Sequence, residues 1–162
     1  MTIWSQEFTR RSCLQWVGLT LVASFIPLQG VLAEENQTVV VYRDPSCGCC
    51  GRWVDHLRQN GFVVNVAESN DMQSVKRAAG VPPELASCHT AKIGDYVIEG
   101  HVPASAIKRL IAEKPQARGL AVPGMPAGSP GMEGATPVAY DVMLFNNGPS
   151  KVFGRYKGAD AF

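Results

Sequence analysis

Three thiols fall within four residues in the segment Asp44-Pro45-Ser46-Cys47-Gly48-Cys49-Cys50-Gly51, and a fourth stands beside an imidazole in Ser87-Cys88-His89-Thr90. A thiolate is both the nucleophile of disulfide exchange and a soft ligand that selects Cu(I), Zn(II) or iron–sulfur clusters. Cys47 and Cys50 form a CxxC pair, in which the first thiol attacks and the second resolves. The added Cys49 would open competing mixed disulfides in a plain exchange catalyst, whereas a soft-metal site gains a ligand from it. A tetrahedral zinc site commonly uses two spaced pairs, and the adjacent Cys49-Cys50 strains chelation of one ion by all four thiolates. Common iron–sulfur spacings are absent. The clustering suits several small ions bridged by sulfur, with dithiol exchange through Cys47 and Cys50 as the alternative chemistry. No Ser-His-Asp set, phosphate-binding loop or paired-carboxylate site is visible.

Further donors surround this core. His89 is a candidate ligand or a hydrogen-bond partner of one. His101, directly before Val102-Pro103, is expected to cap the helix that begins there, with ligation as its second role. His56 is expected on a helix surface. Met125 and Met132 carry thioethers suited to Cu(I) as lid or auxiliary ligands, or pack their loop onto the body. Met72, Met143 and Trp53 read as packing residues, and Asp44 as a strand terminator.

These groups need elements to hold them. Thr38 to Tyr42 is a β-branched and aromatic run stopped by Asp44-Pro45-Ser46, and Cys50 to Asn60 places Trp53, Val54 and Leu57 at helical spacing before Gly61. Phe62 to Ala67 reads as a strand. Asn70 with Gln73 suggests a capping box for a helix carrying Met72, Val75 and Ala79 up to Gly80. Thr90 to Ile93 and Tyr96 to Glu99 flank the hairpin signal Gly94-Asp95, and Val102-Pro103 opens a helix with Ile107, Leu110 and Ile111, closed by Pro115. The order βαβ, α, ββα predicts an α/β, thioredoxin-like mixed sheet with flanking helices. The CxxC segment then sits at a helix N-terminus, where the dipole favours thiolate. The connection before the third strand faces it, and Cys88-His89 occupy the place where thioredoxins carry a cis-proline.

Gly119 to Pro137 holds five glycines and four prolines in 19 residues, which predicts a long loop without central strand. Tyr140 to Phe145 and Lys151 to Tyr156 flank Asn146-Asn147-Gly148-Pro149 as a C-terminal hairpin that tethers this Gly/Pro/Met-rich loop at its far end.

The chain has 162 residues, with 15 basic and 14 acidic side chains and five cysteines. Residues 1–33 read as an export signal: Leu14 to Leu28 carries no charge, and Val31-Leu32-Ala33 fits a cleavage site. Thr9-Arg10-Arg11-Ser12-Cys13-Leu14 resembles a twin-arginine signal, although paired arginines also occur in ordinary secretory signals. Cleavage removes Glu7, Arg10, Arg11 and Cys13, which leaves residues 34–162 as one domain of 129 residues with 13 basic, 13 acidic and four cysteine side chains. Such a chain buries a self-sufficient core, so its cysteines are not needed as staples. Zero net charge argues against nucleic acid, and the absence of a polybasic segment argues against a membrane surface once the signal is gone. The expected destination is the bacterial periplasm.

The ordered motifs Asp44-Pro45-Ser46-Cys47-Gly48-Cys49-Cys50, Ser87-Cys88-His89-Thr90, Glu99-Gly100-His101-Val102-Pro103 and Gly119-Leu120-Ala121-Val122-Pro123-Gly124-Met125-Pro126 resemble those of the CopG-like family of exported bacterial copper-resistance proteins. The resemblance runs from about Val39 to Tyr156. It implies a thioredoxin-like fold, a periplasmic role in copper homeostasis alongside other copper-handling proteins, and Cu(I) held by Cys47, Cys49, Cys50 and Cys88, which bridge several ions.

Overall fold

The computed structural model describes residues 38–162. The export-signal reading of residues 1–33 lies outside them. The elements run β1 (Thr38–Arg43), α1 (Gly48–Gln59), β2 (Val63–Glu68), α2 (Met72–Ala79), a 3-10 turn (Pro83–Leu85), β3 (Thr90–Ile93), β4 (Tyr96–Glu99), α3 (Ala104–Glu113), β5 (Gly119–Ala121), β6 (Ala139–Phe145), β7 (Lys151–Lys157) and β8 (Asp160–Ala161). The eight strands form one mixed sheet in the order β2-β1-β3-β4-β5-β6-β7-β8. β2 lies parallel to β1 and β5 parallel to β4, and the other pairs are antiparallel.

Alternation along the strands divides the core between two faces. On one face Val39 and Val41 of β1, Ile98 of β4 and Leu120 of β5 pack with Trp53, Val54 and Leu57 of α1 and Ile107 and Leu110 of α3. On the other, Val97 of β4 and Ala121 of β5 meet Ala79 at the end of α2, Leu85 and Phe145, with the half-buried Met143 against them. The apolar spacing of α1 and the Gly94-Asp95 hairpin agree with their sequence patterns, the hairpin residue for residue.

Four local expectations require correction. The cap of α2 is Asp71, one residue beyond Asn70, and its carboxylate accepts from Ser74 N at 2.9 Å. Gly119–Ala121 is a strand in the middle of the sheet, not loop. Its glycine permits an approach no other residue allows, because a Cβ there would lie 1.7 Å from Val97 O. His101 does not cap α3. Pro103 offers no capping side chain, and the N–H of Ala104 donates to Nε2 of His56 on α1 at 3.1 Å instead. His56 is thus an inter-helix cap rather than a free surface residue.

His56→Ala is expected to cost about 1 kcal/mol, the usual loss of a cap. Burial lowers the His56 pKa from 6.5, as an acceptor that must keep its lone pair requires. A depressed native pKa means the unfolded chain binds more protons. The contribution is therefore present above pH 6.5 and lost as pH falls through the lowered native value. Denaturant melts of wild type and variant should converge in acid.

Candidate metal centre

The turn between β1 and α1 is built by Asp44, whose carboxylate accepts from Ser46 N at 2.8 Å and from Ser46 Oγ at 2.5 Å. Those bonds favour the charged form and hold its pKa below the usual carboxylate value. Cys47 N donates to Asp44 O at 3.0 Å, and Arg43 Nη1 donates to Cys47 O at 3.0 Å, so the first cysteine is fixed from both sides. Cys47 stands at the N-cap of α1, and Cys49 and Cys50 lie in its first turn. Cys50 faces the core, buried completely.

Cys47 and Cys50 are joined as a disulfide, while Cys49 and Cys88 are free. Cys49 Sγ lies 3.5 Å from Cys47 Sγ and 4.0 Å from Cys88 Sγ. The four sulfur atoms all lie within 4.8 Å of one another. The cluster expected from the sequence is therefore assembled in space, with two of its sulfurs in the oxidised state.

Cys88 brings two imidazoles with it. Its Sγ is 3.3 Å from His89 Nδ1 and 3.0 Å from His101 Nε2. These three side chains form a second group of soft and borderline donors that shares Cys88 with the first. His101 Nδ1 lies 2.7 Å from the carbonyl of Pro130, which only accepts, so Nδ1 carries the proton and Nε2 turns a lone pair toward Cys88. A ring nitrogen held this way by a carbonyl is how metal-binding histidines are commonly oriented. His89 is fully buried, packs tilted against Trp53 with ring centroids 4.2 Å apart, and its Nε2 has no hydrogen-bond partner among the described residues. Burial drives the His89 pKa well below its usual value and lowers that of His101. Burial, with Cys49 beside it, pushes the Cys88 thiol up to about 12. At neutral pH the metal-free pocket accordingly holds a neutral thiol and neutral imidazoles, and a cation would displace the thiol proton.

The Gly/Pro/Met-rich loop straps this pocket. Ser129, Pro130 and Gly131 are buried, and Arg52 Nε of α1 donates to Gly131 O at 2.9 Å. Gly131 has φ +89°, and a Cβ there would meet Cys49 O at 2.8 Å and Trp53 N at 2.9 Å. Only glycine fits between the cysteine helix and His101. Met132 follows it half-buried, while Met125 is 53 % exposed beside Gly124, whose carbonyl accepts from the Ser87 hydroxyl. Trp53 packs, as its type suggests, and its Nε1 donates to Val102 O at 2.9 Å. The loop and its covering role were legible from its glycines, prolines and methionines, whereas the contact of the Pro130 carbonyl with His101 had no sequence signal.

Fold and site together define a mixed α/β protein with a sulfur- and imidazole-rich pocket at a helix N-terminus, a class fitted to soft metal ions. Residues 85–132 match the family described as "Protein of unknown function, DUF411". The chain is 44% identical to a solved structure titled copper resistance protein CopG, form 2, covering 75% of this chain and 99% of that one with TM-score 0.72. Form 1 of the same title matches at 44% identity, 76% and 100% coverage, and TM-score 0.71. No curated protein sequence matches the chain. The chain belongs to the CopG family of copper-resistance proteins.

Proposed function

We propose that this protein is a periplasmic copper-binding protein of copper resistance and homeostasis, holding Cu(I) on Cys47, Cys49, Cys50 and Cys88 with His89 and His101 at the pocket's inner wall. The observation that carries this reading is the convergence of four sulfurs within 4.8 Å at the helix N-terminus. The relatives titled as copper resistance proteins support copper as the ion. The strand–CxxC–helix arrangement supports a thioredoxin-like ancestry for the first half of the sheet, and the signal-like residues 1–33 support export. Among the described residues no helix is long and apolar enough to cross a membrane.

The disulfide sets the redox requirement. An external two-electron donor such as a dithiol would convert the Cys47–Cys50 bond to two thiols and itself become oxidised, after which Cu(I) would displace thiol protons and be held by the resulting thiolates. Four thiolates so close together share ions, so several coppers bridged by sulfur fit the pocket better than one. In the reverse direction, re-forming the disulfide releases two electrons, which reduce two Cu(II) to two Cu(I). That exchange would leave Cys49 and Cys88 as the free thiols, so reducing Cu(II) and storing Cu(I) would draw on the same cysteines in different redox states.

Protein treated with a reductant and desalted anaerobically is expected to retain Cu(I) at more than one ion per chain, and untreated protein with the disulfide intact several-fold less. Equal retention by both forms contradicts the reading. The disulfide itself favours a second reading, a thiol–disulfide oxidoreductase with Cys47 attacking and Cys50 resolving. In that case metal-free protein catalyses insulin reduction, and Cys47→Ser abolishes the turnover.

A further inference from the structure

A charged pair lies buried behind the metal pocket. Glu99 at the end of β4 is fully buried, and its Oε1 lies 2.5 Å from Nζ of Lys76 on α2, itself 5 % exposed. Burying two charges is costly, and an apolar pair of similar volume often does as well for stability alone. The carboxylate has other work. Ser87 N donates to Oε1 at 2.6 Å, and Thr90 Oγ1 donates to Oε2 at 2.7 Å, while Lys76 Nζ also donates to Thr90 Oγ1 at 3.2 Å. Ser87 and Thr90 flank Cys88 and His89 on either side. One carboxylate therefore ties down both ends of the two-residue arch that carries a thiol and an imidazole into the pocket.

The neighbouring backbone tightens the same arch. Gly100 N donates to His89 O at 2.9 Å, and a Cβ on Gly100 would meet Ser87 Cβ at 2.6 Å, so the residue that follows β4 presses directly on the loop. Val122 N donates to Glu99 O at 2.9 Å, which links the arch to the start of the strap.

We infer that Glu99 is a positioning residue of the copper site, acting through Ser87 and Thr90 to hold Cys88 Sγ against Cys49 and His101. The inference rests on the copper-binding reading above. Lys76 keeps the carboxylate paired and hydrogen-bonded, and Thr90 completes the tether.

Two double variants separate tether from charge. Lys76→Met/Glu99→Gln discards the ion pair and keeps an amide able to bond both Ser87 N and Thr90 Oγ1. Lys76→Met/Glu99→Leu discards the ion pair and both tethers. Anaerobic competition against a chromophoric Cu(I) chelator is expected to find the Gln form within a few-fold of wild type and the Leu form weaker by about tenfold or more, the effect of two lost hydrogen bonds. In reduced, metal-free protein, the peptide-resolved alkylation rate of Cys88 should rise in the Leu form alone. Equal copper retention and equal alkylation in the two forms, whatever their melting temperatures, would make the pair merely structural and overturn the inference. If wild type itself retains no copper while the alkylation rates still diverge, the copper reading fails and the positioning role stands. Should the Leu form not fold, Thr90→Val removes one tether at constant shape; weaker copper retention with faster Cys88 alkylation supports the inference, and wild-type values for both overturn it.

Discussion

Cys88→Ser removes the one thiol that reaches the pocket from outside the α1 segment, and Cu(I) retention is expected to fall by at least about a hundredfold, beyond the loss typical of a residue that only supports a ligand. The reasons are geometric. Cys88 Sγ is 4.0 Å from Cys49 Sγ on one side and 3.0 Å from His101 Nε2 on the other, so it belongs to both donor groups. Cys47, Cys49 and Cys50 alone sit on a single helical turn and leave an ion open toward the loop. Serine preserves size, and Cys88 is only half-buried, so the fold should survive. Metal analysis, together with the near-ultraviolet thiolate-to-copper absorption, reads the effect. Unaltered copper content in a folded Cys88→Ser protein contradicts the shared role of this thiol.

Gly119→Ala is the substitution expected to damage the fold most. A methyl group at this position would sit 1.7 Å from Val97 O and 2.6 Å from Val97 C, both backbone atoms of β4. Neither can swing aside as a flexible side chain would, because Val97 N also donates to Arg118 O at 2.9 Å and β4 is paired on both edges. The strand would separate from β4, uncovering Leu120 and Ala121, which are completely buried. A loss of at least about 3 kcal/mol follows from overpacking of this severity, enough to leave many small domains largely unfolded. Urea denaturation followed by circular dichroism measures it. An alanine variant as stable as wild type would contradict the close approach of β5 to β4.

The two substitutions also mark what the sequence could and could not disclose. Three of the four sulfurs are local, and the fourth follows once Thr90 is recognised as a strand start, so the cluster was legible from spacing and order. The Thr90–Glu99 hairpin was legible because Gly94-Asp95 is a local turn signal. β5 was not, since Gly119 resembles loop residues and earns its place only through a close approach to Val97, a residue 22 positions away. The shift of the capping role from His101 to His56 has the same origin. His101 precedes the start of α3 in sequence while His56 lies in the last turn of α1, and only the packing of α1 against α3 decides which ring meets Ala104 N. Glu99 reads as an ordinary charged strand end until Lys76, 23 residues earlier, is found against it. The oxidised state of Cys47 and Cys50 could not be read from Cys-Gly-Cys-Cys either, because the spacing admits a disulfide or metal thiolates equally.

The residual pattern is physical rather than accidental. Features that depend on neighbours within one turn of helix or one hairpin are written in the local sequence, whereas caps, tethers and close backbone approaches depend on which elements meet. The cysteine–histidine pocket draws on both kinds. Its sulfurs are local, and its walls, from His101 on Pro130 to Gly131 under Arg52, are supplied by elements distant in sequence.

The central claim is that the four gathered sulfurs hold Cu(I). Reduced wild-type protein titrated anaerobically with Cu(I) against a chromophoric chelator tests it most directly. The account predicts that the protein strips copper from the chelator to a plateau above one ion per chain. A chelator that keeps all of its copper in the presence of fully reduced, folded protein would contradict it.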